Sequence, residues 1–101
     1  MEVEMKQISP SSLYAKASGR LDIDNAADYG AKIKDFVEDK DISNLTLDFS
    51  EITFISSFGL KVILEIYHSM KEPAVLRVTH ASEAAKSSFV MTGFDKFINI
   101  E

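Results

Sequence analysis

A change of apolar period at Ser56-Ser57 constrains this chain more than any other stretch. Before it, Leu45-Thr46-Leu47-Asp48-Phe49 alternates as a short strand does, and Ile52, Phe54 and Ile55 continue the apolar material toward the two serines. After it, Leu60, Ile63, Leu64, Tyr67 and Met70 fall on one helix face, which Val62 and Ile66 widen. A buried strand running into a buried amphipathic helix belongs to a strand-helix-strand unit, whose crossover is expected to be right-handed and to join parallel neighbours.

The remaining segments fit around that unit. Val3 and Met5 alternate with charged residues, Ser9-Pro10-Ser11-Ser12 makes a turn, and Leu13, Ala15 and Ala17 alternate with Tyr14, Lys16 and Ser18, which predicts two half-buried strands in a hairpin. Gly19-Arg20-Leu21-Asp22 closes the second strand. Asp24 or Asn25 is the expected N-cap of a first helix carrying Ala26, Tyr29, Ile33, Phe36 and Val37 on its inner face and ending near Lys40. Pro73 follows the second helix, and Ala74 to Thr79 reads as a strand rich in sheet-forming residues. Ser82 is expected to cap a third helix over Glu83 to Met91, with Ala85, Phe89 and Thr92 inside, Gly93-Phe94 at its C-cap, and a last strand over Phe97 to Ile100. The order ββαβαβαβ predicts one α/β domain over residues 1–101: an N-terminal β-hairpin, then βαβαβ units in a mixed, largely parallel sheet flanked by helices.

Composition narrows the function. The chain has 101 residues, and 46% apolar content suffices for one core. Cysteine is absent, which removes disulfides, thiolate metal sites and thiol nucleophiles and fits a reducing compartment. No secretory h-region opens the chain, and the longest strictly aliphatic run is Val62-Ile63-Leu64, so the expectation is a cytoplasmic protein without membrane contact. A formal charge of −5, from sixteen acidic and eleven basic residues, repels phosphate backbones and argues against nucleic-acid binding. Acidic residues gather at Asp22, Asp24 and Asp28 and again at Asp35, Glu38, Asp39 and Asp41; such clusters are ordinarily solvated helix flanks.

Catalytic constellations are missing. His68 lies roughly 16 Å along a helix axis from Ser57, too far to serve as its base, and no Gly-x-Ser-x-Gly elbow surrounds that serine. There is no His-x-x-x-His pair, no calcium loop, no phosphate-binding loop and no dinucleotide turn, so neither a metal nor a cofactor is expected, and the chain does not read as an enzyme. Arg20 could touch an anion but is ordinarily a surface residue. The seam itself remains. Ser56 or Ser57 can act as an N-cap worth about 1 kcal/mol, or can carry a phosphate at a helix N-terminus. Gly59, in the first helical turn, costs roughly 1 kcal/mol against alanine and implies close approach by another backbone. Phe58 stands outside the inner stripe and is a candidate contact residue.

Three segments together resemble a STAS domain of the anti-sigma factor antagonist family. They are Gly19-Arg20-Leu21-Asp22 with Asn25-Ala26, Leu47-Asp48-Phe49-Ser50 leading into Ser57-Phe58-Gly59-Leu60, and Thr92-Gly93-Phe94-Asp95-Lys96-Phe97. In that family the helix opens with Asp-Ser-Ser-Gly-Leu or Asp-Ser-Thr-Gly-Leu, and the serine after the aspartate is phosphorylated. Here Ser56 stands at the aspartate, Ser57 at the phosphorylated serine and Phe58 at the second hydroxyl, while Gly59-Leu60 are kept.

The resemblance implies a bacterial partner switch that regulates transcription. The unphosphorylated domain binds an anti-sigma factor with serine kinase activity and so frees a sigma factor; phosphorylation of Ser57 breaks the complex, and a serine phosphatase restores it. Leu21, Asp22, Asp24, Ser56, Phe58 and Gly59 are the expected surrounding partner face, on a monomer or weak dimer. The alternative is a constitutive STAS interaction module in a signalling or transport assembly, with Ser57 only a cap. A third reading is a small-ligand or nucleotide sensor using the edge from Asp22 to Ser57.

Overall fold

Period-two alternation builds the first layer of the structure, a computed structural model that describes all residues from Met1 to Glu101. Strands β1 (Val3–Ser9) and β2 (Ser12–Leu21) form an antiparallel hairpin, from Val3 opposite Ala17 to Ser9 opposite Ser12. A register shift between Gln7 and Ser9 leaves Ile8 bulged and 63% exposed. β3 (Asn44–Ile55) runs parallel to β2, β4 (Val75–Thr79) parallel to β3 and β5 (Asn99–Ile100) parallel to β4, so the sheet order follows the sequence, β1 to β5. Helices α1 (Ile23–Asp39), α2 (Ser57–Ser69) and α3 (Glu83–Met91) supply the crossovers. This is the mixed α/β architecture that the sequence predicts.

One face of the sheet carries the core. Leu13, Ala15 and Ala17 of β2, Leu45, Leu47 and Phe49 of β3, and Leu76 and Val78 of β4 are buried with Tyr29, Ile33 and Val37 of α1, Ile63 and Ile66 of α2, and Ala85 and Phe89 of α3 in a single cluster. Each valine, leucine, isoleucine or phenylalanine among them contributes about 1.5–3 kcal/mol of transfer free energy. The intervening residues Tyr14, Lys16, Thr46, Arg77 and Thr79 line the other face, which no helix covers. Asp48 is the exception on that face, as the one buried charged residue of the chain.

Several boundaries differ from expectation for local reasons. Asp22, not Asp24 or Asn25, caps α1: its extended backbone lets the carboxylate accept from Asn25 N at 3.0 Å, and Asp24 falls in the first turn. β3 is one strand of twelve residues, because two register shifts against β2 absorb its irregular second half. On α2 the buried side turns toward Val62 and Ile66, leaving Leu64 and Tyr67 half-buried, since Val62 packs where α1 has only Gly30. Thr92 is exposed and spends its hydroxyl on the Ser88 and Phe89 carbonyls. A 3-10 turn over Phe94–Lys96 shortens the last strand to two residues.

Candidate functional site

β2 and β3 end side by side, Leu21 opposite Ile55, and each is followed at once by a helix. The N-termini of α1 and α2 therefore open at the same end of the sheet. Leu21 links them. Its carbonyl accepts from Ser56 N at 3.0 Å and from Ser56 Oγ at 2.9 Å, while Ser56 Oγ in turn accepts from Gly59 N at 3.0 Å. Ser56 is thus the N-cap of α2 and a tie to the neighbouring strand, with both hydrogen-bonding capacities of its hydroxyl in use.

Ser57 differs in each respect. It is the first helical residue, it is exposed, and its hydroxyl makes no hydrogen bond to another group of the chain. The first-turn N–H groups of Ser57 and Phe58 lie within the positive end of the helix dipole, and this turn contains no acidic residue. Of the two hydroxyls at the seam, Ser57 is the one free to react without breaking the cap.

The expected partner face divides in two. Asp22 is half-buried and Asp24 exposed; Phe58 is half-buried, rests on the core and has the Lys61 ammonium 5.9 Å from its ring centre. Leu21 and Gly59 lie underneath instead. Leu21 is fully buried, and a Cβ on Gly59 would stand 2.9 Å from the Leu21 carbonyl oxygen and 2.8 Å from Ile55 Cγ1. Their part is to seat α2 on the end of β2, which is the close backbone approach that a glycine in the first turn implies.

Two apolar side chains join this end of the molecule that sequence periodicity assigned inward or passed over. Ile23, the first residue of α1, is 66% exposed, and Phe54 is 41% exposed with the Arg20 guanidinium 4.3 Å above its ring. The second register shift, between Gly19 and Arg20, inserts the extra residue that turns Phe54 out. Beside it, Ile52, Phe54 and Ile55 face Ser82, Ala85 and Ser88 of α3 across a cleft of about 140 Å³.

The register shifts have an anchor. The Asp48 carboxylate accepts hydrogen bonds from the Tyr14 hydroxyl and from Ser50 N at 2.9 Å, with His80 Nδ1 at 3.5 Å. Burial opposes its ionisation, yet the hydrogen bonds from Tyr14 and Ser50 and the nearby His80 prevail and lower it to about 2. The same contact, with burial second, pushes the Tyr14 phenol up to about 12. By holding Ser50 N two residues on, Asp48 closes the turn at the first bulge of β3. Sequence alone gives Asp48 only as a position in a short strand, and two of its three partners, Tyr14 and His80, lie far from it in the chain.

The STAS domain family model matches residues 3–101. Among solved structures, an anti-sigma factor antagonist from Mycobacterium paratuberculosis superposes with a TM-score of 0.82 at 22% identity, over 98% of this chain and 85% of that one. The Bacillus cell fate determinant SpoIIAA in its phosphorylated form gives 0.72 at 14% identity, over 99% and 91%. The anti-sigma factor antagonist SpoIIAA in its unphosphorylated form gives 0.72 at 13% identity, over 94% and 96%. No helix of this chain is long and apolar enough to cross a membrane.

Proposed function

Since this chain belongs to the STAS domain family, we propose that it is an anti-sigma factor antagonist that works by partner switching, with Ser57 as the phosphoacceptor. The observation that carries the reading is the contrast at the seam: Ser56 is committed to the cap and to Leu21, while the Ser57 hydroxyl is exposed to solvent and tied to no other group of the chain. The matched SpoIIAA fold in phosphorylated and unphosphorylated forms supports it.

In its unphosphorylated state the protein presents Asp22, Asp24, Phe58, Ile23 and Phe54 around Ser57 to an anti-sigma factor that is also a serine kinase. The kinase, with its own ATP and Mg²⁺, transfers the γ-phosphoryl group. A bond forms from Ser57 Oγ to phosphorus, the bond from phosphorus to the ADP oxygen breaks, and the hydroxyl proton passes to a base of the kinase. A serine phosphatase reverses the modification with water. The phosphate adds about 1.5 to 2 negative charges at pH 7. On the α2 terminus that charge is favoured by roughly 0.3–1 kcal/mol, so the fold tolerates it. Buried without a partner in an interface it costs several kcal/mol, and about 3 kcal/mol already weakens binding more than a hundredfold. The family's aspartate before this serine is replaced by Ser56, which performs the capping task equally well.

Incubation with ATP and a cognate anti-sigma factor serine kinase, read by intact and tandem mass spectrometry, tests the proposal. One phosphate on Ser57, absent from Ser57→Ala, is the expected result. Binding to that kinase without any phosphate would overturn the switch and leave a constitutive STAS interaction module.

A further inference from the structure

The sheet has two unequal edges. β5 offers two residues, whereas β1 offers seven and pairs with β2 on one side only, so its other row of N–H and C=O groups faces outward along the whole strand. Along β1, Val3 and Met5 rest on the core while Glu4 and Lys6 point to the uncovered face of the sheet, both exposed. Neither charge forms an ion pair within the chain. Met1 does not obstruct this edge, since its amine is held by Asp28 of α1 at 2.9 Å.

We propose that β1 is a self-association edge, pairing antiparallel with β1 of a second copy about a two-fold axis at Met5. The register follows from geometry and charge. Antiparallel pairing of identical edges places the axis perpendicular to the sheet, which keeps core face with core face, so only side chains of the same face can stand opposite one another. An axis at Glu4 puts Glu4 on Glu4, and an axis at Lys6 puts Lys6 on Lys6; like charges directly opposite are unfavourable. An axis at Met5 instead puts Glu4 opposite Lys6 of the other copy twice over, with Met5 against Met5 on the inner face. Within each chain Glu4 already stands opposite Lys16 of β2, so in the pair Glu4 lies between two lysines. The product is a continuous sheet of both copies with the bulged Ile8 at each end of the seam, and its small contact area makes it a weak, concentration-dependent dimer.

Sedimentation velocity over a wide concentration series tests this, with far-UV circular dichroism confirming that each variant is folded. The expected result is a mass rising from one chain toward two. Glu4→Lys and Lys6→Glu should each weaken the dimer by about tenfold, because each turns both symmetric pairs repulsive, and the double reversal should restore it. As the chain has no cysteine, Met5→Cys gives an independent readout: oxidation should yield a disulfide-linked dimer, while Asn99→Cys on β5 should not. A monomer at every concentration, a dimer indifferent to both single reversals, or crosslinking through Asn99 rather than Met5 would overturn the proposal.

Discussion

α2 and α3 open with the same device and differ in what it leaves free. Ser56 and Ser82 are both extended, and each accepts a hydrogen bond from the third residue on, Gly59 N at 3.0 Å and Ala85 N at 3.1 Å. At α3 the next residue is Glu83, whose carboxylate offsets the helix dipole, and α1 likewise has Asp24 in its first turn. At α2 the next residue is Ser57 and no acid follows, while the cap is tied to Leu21 and the turn is pressed against it. One helix start is complete in itself. The other is fixed to the sheet yet left electrostatically open, which is the combination a reversible anionic modification requires.

The most disruptive way to test this contrast is to exchange the residues that the caps bind. Gly59→Ala should destabilise the protein by about 2–3 kcal/mol despite alanine's better helix propensity, since its Cβ meets the Leu21 carbonyl and Ile55. Ala85→Gly at the matching position of α3 should cost only about 1 kcal/mol, from propensity and a lost buried methyl. Urea unfolding of both variants measures the difference; equal losses would mean that α2 is not seated on β2 as described.

A smaller effect is expected from the bulge that delivers β3 to the seam. Asp48→Ala leaves the Tyr14 hydroxyl and Ser50 N without their acceptor and should cost about 1–2 kcal/mol at neutral pH. Because the folded-state value of Asp48 is depressed to about 2 from an ordinary 3.8, its contribution is present above about pH 4 and is lost as pH falls toward 2. Wild type and Asp48→Ala should therefore converge in stability over that window. A constant gap would show that the carboxyl group acts through packing rather than charge.

These two regions also mark how far sequence carried. Periodicity gives the element order, the hairpin, the inner face of β2 and, except for Thr92, that of α3, because alternation and caps are local signals. Ser82 with Ala85 and Phe89 is an example read correctly from neighbours alone. The Gly59 approach is legible as a helix-breaking residue in a first turn, though its partner Leu21 is not, and Leu21, expected in the partner face, is fully buried. Two features escaped for a common reason. The bulges that turn Phe54 outward and the Tyr14, Asp48 and His80 contacts depend on pairing between distant strands, which no single window of residues records.

The smallest effect separates the two helix starts most cleanly. Ser57→Glu gives α2 the first-turn acid that α3 already has, and Glu83→Ser removes it from α3. If the dipole of α2 is uncompensated, the first change should raise stability by about 0.3–0.5 kcal/mol and the second lower it by a similar amount, a shift of roughly 1–4 °C in Tm in opposite directions. Both shifts should shrink in high salt, because the groups are exposed and screened. A destabilising Ser57→Glu would mean that the start of α2 already repels negative charge, and a phosphate there would then act by loosening the fold rather than by blocking a partner. A stabilising one would leave the proposed partner interface as the place where a phosphate on Ser57 would act.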